Sequence, residues 1–187
     1  MFRRVVWLLE RVSLGSGVIA GLLIAPLVVV TCTEVFSRYV LGSPTAWAYE
    51  LGYMGMGAHF LLGAAYTLRA KGHIRIDLFY QAYPERVKAG FDLLAYSLLM
   101  LPFCIWMVMG FWEYTEEAYQ WGETTGASAW NPPLWPFRAI LLTGFMLLAI
   151  QILAEITRCL GVLVGAMESL DEGRDSKPTM TIKTTGG

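Results

Sequence analysis

The chain has 187 residues; 56% are hydrophobic, 16% are charged, and the formal net charge is −1. A water-soluble domain of this length needs charged groups over most of its outside, so this balance excludes one. The near-neutral charge, with no basic patch, also excludes nucleic acid as a partner.

Residues 1–13 place Arg3, Arg4, Trp7 and Arg11 on one helical face, with Phe2, Val5, Val6, Leu9 and Val12 supplying apolar surface. This pattern predicts a short amphipathic helix lying in the inner membrane interface. The segment superficially resembles a signal peptide. The apolar run Leu14–Cys32 is too long for one, however, and no small-residue cleavage pattern follows it. It is read as an uncleaved first span over about 14–36. Three further segments reach the length of about 20 residues that a bilayer core requires, at about 47–68, 91–112 and 137–164. Backbone groups in lipid must be satisfied within the segment, so the expected class is an all-α integral membrane protein with four transmembrane helices.

Basic residues set the expected orientation. Twelve of the fourteen lysines and arginines fall before span one, between spans two and three, or at and after the end of span four; Arg38 and Arg138 alone fall on the other side. The positive-inside rule then puts both termini in the cytoplasm. A second short helix is expected over 78–82, with Asp77 as its cap. The polar stretch 168–187 has no periodicity and is expected to be a disordered cytoplasmic tail.

Within the spans, Ala48, Gly52, Gly55, His59 and Gly63 recur every three or four residues, and Gly17 and Gly21 repeat the pattern in span one. Small residues let helix backbones approach closely where lipid competes with apolar side chains, so these positions are read as packing faces, within the chain or against a partner subunit. His59 lies deep in this stripe and is read as a structural, hydrogen-bonded histidine. His73 is the only other histidine, so no haem pair is available, and no cofactor is expected. Cys32, Cys104 and Cys159 are far apart and read as apolar packing residues. Pro26 and Pro102 are expected to bend their helices. Glu155 and Arg158 can pair at the inner end of span four. Glu34 can pair with Arg38 four residues on, or Arg38 can reach Glu50 across the short outer turn; together with Trp47 these residues are read as the outer fastening of spans one and two.

The outer loop before span four is acidic and aromatic. Its Glu116, Glu117, Trp130, Pro132, Pro133 and Trp135 are read as a long exposed surface on the outer side, a candidate for docking a partner, with Pro136 opening the last helix. No nucleophile–base pair, phosphate loop or metal cluster is apparent, so the chain is not expected to be an enzyme.

Several motifs occur in a telling order. They are Phe36-x-Arg38-Tyr39, Trp47-x-x-Glu50-Leu51, the inner-loop run Gly72, His73, Ile74, Arg75, Ile76, Asp77, and AWNPPLWPFR followed by Gln151. In this order the sequence resembles the small permease (Q-type) subunit of tripartite ATP-independent periplasmic (TRAP) transporters. One position departs from the pattern: the family often has two adjacent carboxylates where Tyr49 here precedes a single Glu50. The resemblance implies a soluble periplasmic binding protein that captures an organic anion, and a large membrane subunit that holds the substrate and sodium sites and moves like an elevator. In such a complex the small subunit, in contact with lipid, extends the static scaffold. The other class consistent with the residues is a stand-alone four-helix proton-coupled exporter acting as a homodimer, in which Glu34 or Glu50 carries the proton.

Overall fold

A computed structural model describes residues 2–70 and 83–166. Gly72, His73, Arg75 and Asp77, the expected helix over 78–82 and the tail 168–187 lie outside the described residues. Those described are helical apart from turns and one isolated antiparallel bridge between Thr124 and Pro133.

The first helix, α1, runs without a break from Phe2 to Tyr39. The expected interfacial segment 1–13 is therefore not a separate element, because nothing in Val12-Ser13-Leu14 interrupts helix formation. Thirty-eight residues at about 1.5 Å each give roughly 57 Å, nearly twice a hydrocarbon core of about 30 Å. Helix α2 spans Ala48–Arg69. Helix α3, Glu85–Ala95, passes through a π-helical turn, Tyr96–Met100, into α4, Leu101–Gln120. The last helix, α5, spans Trp135–Leu163, with Pro136 in its first turn.

The π turn has a local cause. Pro102 carries no N–H, so the carbonyl of Leu98 loses its helical donor. The preceding residues widen their bonding, and the Leu101 N–H donates to Tyr96 O, five residues back. The anticipated bend at Pro102 is thus taken up one turn earlier. A second departure is the length of α4. Span three was expected to end near residue 112, yet the helix continues to Gln120, because the next breaker is Gly122 at φ +61°. Glu116 and Glu117 therefore stand on helix, not in the loop.

Among the described residues, three helices are long and apolar enough to cross a membrane: Val6–Tyr39, Arg86–Gln120 and Trp135–Leu163. The expected second span, α2, is not among them. It is long enough at 22 residues, but Gly52, Gly55, Gly57, Gly63, three tyrosines, Glu50 and His59 dilute its apolar content.

Contacts define an up-down-up-down bundle. Gly17 meets Tyr66, Gly63 meets Ala20 and Gly55 meets Leu27, so α1 and α2 are antiparallel. Gly57 meets Phe137 and Gly144 meets Leu61, so α2 runs parallel to α5. The Cys104 thiol donates to Phe145 O at 3.3 Å, and Phe111 stacks on Phe145 at 5.2 Å, which sets α4 against α5. Helix α5 touches every other helix and carries the largest share of buried side chains. An apolar core gathers Leu68, Ala89, Tyr96, Cys104, Ile152, Cys159 and Val162 from α2, α3, the π turn, α4 and α5. Cys104 and Cys159 pack there as expected, whereas Cys32 is exposed on α1.

The glycines divide into two kinds. A β-carbon at Gly17 would lie 2.6 Å from the Tyr66 ring, one at Gly55 2.6 Å from Leu27, and one at Gly144 2.7 Å from Leu61. A β-carbon at Gly21 or Gly52 would meet nothing within 4 Å. Gly144→Ala is therefore expected to push α2 off α5 and cost about 1–3 kcal/mol, read as a lower midpoint of thermal unfolding in detergent.

Candidate functional site: polar clusters at the two ends of the bundle

Polar side chains collect at opposite ends of the bundle. At the loop end, Glu34 Oε1 accepts from Arg38 Nε at 2.8 Å and Nη2 at 2.5 Å. Glu34 Oε2 accepts from the Thr45 backbone N at 3.0 Å and also from the Thr45 hydroxyl. Ser37 Oγ donates to Ser43 O, and Ser43 N returns a bond to Ser37 O at 3.0 Å. The connection between α1 and α2 is thus folded back onto the last turns of α1. Arg38 bonds Glu34, not Glu50; of the two pairings open in the sequence, the local one forms.

Glu50 stands apart from this group. It is the third residue of α2 after the half-buried Trp47, a place where the helix dipole favours a carboxylate. It is fully buried (0% exposed). Its Oε1 accepts from the Thr125 hydroxyl at 2.6 Å, and Oε2 has no hydrogen-bond partner among the described residues. The sequence placed Glu50 at the membrane edge beside a cation. In the fold, its partner is Thr125 of the loop 121–134.

That loop is tightly built. Thr125 N donates to Pro132 O at 3.1 Å and Leu134 N to Glu123 O at 2.9 Å, closing a small hairpin around the Thr124–Pro133 bridge. Gly126 N donates to Asn131 Oδ1 at 2.7 Å, and Asn131 itself takes a left-handed φ of 44°. Pro132 and Pro133 remove two donors from a strand that would otherwise expose them.

Arg138 fastens the hairpin to α4. This nearly buried guanidinium pairs with Glu123 Oε2 at 2.7 Å, donates to Tyr114 O at 2.8 Å and lies over the Tyr114 ring at 3.3 Å. Trp130 and Trp135 are partly exposed on the rim, with Trp135 edge-on to Tyr119 at 5.7 Å. Glu116 and Glu117 face outward on α4, and Gln120 Nε2 donates to Glu116 Oε1 at 3.0 Å. Arg138→Met removes two charge-assisted bonds and is expected to raise proteolytic cleavage within 121–134 about tenfold without unfolding the helices.

At the opposite end lies a cluster that sequence reasoning missed. Glu10, Ser13, Ser16, Gln151, Glu155 and Arg158 are all buried. Ser13 Oγ donates to Gln151 Oε1 at 2.6 Å, and Gln151 Nε2 donates to Glu155 Oε1 at 3.0 Å. Arg158 Nη2 donates to Glu10 Oε1, and Arg69 Nε lies 3.7 Å from Glu10 Oε2. Three helices are joined here: α1 through Glu10 and Ser13, α2 through Arg69, and α5 through Gln151 and Arg158. Glu155 was expected to pair with Arg158 as a local interfacial arrangement. The long-range bond from Arg158 to Glu10 on α1 was not foreseen. The available signal was the spacing of Gln151, Glu155 and Arg158, which puts one polar stripe on an otherwise apolar helix.

Between the ends the polar content is low. His59 Nδ1 lies 2.8 Å from Ala20 O. A carbonyl only accepts, so Nδ1 carries the proton and donates.

Long apolar helices with ionisable groups gathered at their two ends suit a membrane-embedded protein. Comparison with known families decides the matter: the family model described as tripartite ATP-independent periplasmic transporters, DctQ component, matches residues 27–161. The chain belongs to the DctQ family. It is therefore a multi-pass membrane protein of the TRAP transporter small permease component, a transporter subunit and not an enzyme. The matched region includes the loop-end cluster, α2 and α5 as far as Arg158 and Gly161, but begins after Glu10, Ser13 and Ser16. No curated protein matches the chain.

Proposed function

We propose that this DctQ component is the non-catalytic scaffold subunit of a sodium-coupled TRAP transporter that imports an organic anion. In this reading it crosses the bacterial inner membrane four times with both termini in the cytoplasm. It binds the large permease subunit constitutively and the periplasmic binding protein transiently. Residues 14–167 form the membrane domain, and residues 1–13 ride at the inner interface on the overlong α1.

The observation that carries the reading is where the polar groups lie. Charged side chains at the two ends are engaged within the chain, and His59 at mid-depth is tied to Ala20 O. A solute pathway needs polar groups converging at one depth. A scaffold needs helices that resist sliding, which the three-helix junction at Glu10 supplies. Support for α2 as the fourth span comes from its neighbours. It lies between α1 and α5, and it reaches from Glu50 under the outer loop to Arg69 beside Glu10.

The outer hairpin is the surface proposed to receive the binding protein, because it is rigid, aromatic and flanked by Glu116 and Glu117. Removing the chain from cells that keep the other two components is expected to lower uptake at least tenfold. Normal uptake in its absence would overturn the reading.

A further inference from the structure

The inner end of α1 has two distinct faces. Val6, Glu10, Ser13, Ser16 and Ala20 are buried on the side that packs on α2 and α5. Trp7, Arg11, Gly15, Val18 and Leu22 are exposed on the other. There the Arg11 guanidinium lies over the Trp7 ring, 4.4 Å from its centroid. Stacking occupies the flat face of a guanidinium and leaves the five N–H donors around its edge free to bond. Among the described residues, none accepts from them.

The chain offers Arg11 no carboxylate close by. Glu10, next to it in sequence, is on the buried face and is held by Arg158, with Arg69 at 3.7 Å. The neighbours three and four residues away along the helix are Trp7, Leu8, Leu14 and Gly15, all uncharged.

Depth identifies the acceptor that these donors meet. Residues 11 to 38 of the unbroken α1 cover roughly 40 Å at about 1.5 Å each, close to the 40–45 Å of a bilayer with its headgroups. With Arg38 in the outer headgroup layer, Arg11 lies in the inner one, where tryptophan also settles. One turn further into the membrane, a β-carbon at Gly15 would meet nothing within 4 Å, and the exposed strip continues through Val18 and Leu22. The helix surface is therefore thinnest just beneath the guanidinium, and apolar below that.

We propose that the Trp7–Arg11 pair binds an anionic phospholipid of the inner leaflet, such as phosphatidylglycerol. Arg11 donates paired bonds to the headgroup phosphate, and an acyl chain lies over Gly15 along Val18 and Leu22. A zwitterionic headgroup brings the same phosphate together with an ammonium group, which an arginine without a carboxylate repels. A phosphate held here fixes the overlong α1 at one depth. The site rests on the topology proposed above, with the N-terminus inside.

The test uses the complex of this chain with the large subunit, purified in detergent and supplied with phosphatidylglycerol or phosphatidylcholine. Native mass spectrometry counts the lipid retained. Wild type is expected to hold one more phosphatidylglycerol per copy than Arg11→Gln or Trp7→Leu, and to prefer it over phosphatidylcholine about fivefold. Arg11→Lys keeps the charge without the stacked fork and is expected to hold it more weakly. Arg86→Gln, which removes an exposed arginine of α3, and millimolar inorganic phosphate are expected to change nothing. Equal retention in wild type, Arg11→Gln and Trp7→Leu would overturn the site. So would equal loss with Arg86→Gln, equal retention of phosphatidylcholine, or displacement by inorganic phosphate. The topology is checked separately with Leu8→Cys in a chain carrying Cys32→Ser. A membrane-impermeant maleimide that labels it from outside intact cells would overturn the topology and the inner-leaflet site together. Labelling only after the cells are opened, with retention unchanged in Arg11→Gln, would overturn the site alone.

Discussion

Replacing Arg158 with leucine is expected to be the most damaging single change to the fold, at about 3–5 kcal/mol. Arg158 is 1% exposed and bonds the buried Glu10 across 148 residues of sequence. Removing it leaves Glu10 to the more distant Arg69, at 3.7 Å. A buried carboxylate stripped of its nearer partner costs far more than the pair returns, which is why one-sided removal is severe. The expected readout is a sharp fall in detergent-solubilised yield and in the thermal midpoint. Glu10→Leu combined with Arg158→Leu removes both charges, and the double variant is expected to lose much less than the sum of the single losses. Equal midpoints for Arg158→Leu and wild type would show that the three-helix junction does not hold the bundle.

The second large effect concerns transport and leaves assembly intact. Glu50→Leu removes the acceptor for the Thr125 hydroxyl and so unfastens the outer hairpin from α2. Uptake is expected to fall at least tenfold, about the loss of one charge-assisted bond, while the large subunit co-purifies as before. Thr125→Val breaks the same bond from the other side and is expected to reproduce the defect. Glu50→Gln keeps an oxygen facing Thr125 and is expected to retain most uptake. Undiminished uptake with Glu50→Leu would show that the hairpin's fastening plays no part in receiving the binding protein.

The contrast between the two clusters explains what could be read in advance. Apolar runs, Pro136 at a helix start and the four-residue spacing of Glu34 and Arg38 are local features, and local geometry is determined by nearby sequence. The Glu10–Arg158 and Glu50–Thr125 contacts join residues 148 and 75 apart, and they exist only because α1, α2 and α5 come together. The same limit applies to the small-residue stripe. Spacing showed a packing face, but only the neighbours Tyr66 and Leu27 separate Gly17 and Gly55 from the open Gly21 and Gly52. The end of α4 was misplaced for another reason. Acidic and aromatic residues suggested a loop, yet none of them breaks a helix before Gly122.

On the proposed scaffold reading, this chain stays still while another part carries solute. Vesicles holding this chain alone, the large subunit with its binding protein, or all three together would test that division under an imposed sodium gradient. Concentrative uptake is expected only with all three. Uptake driven by this chain alone would contradict the account.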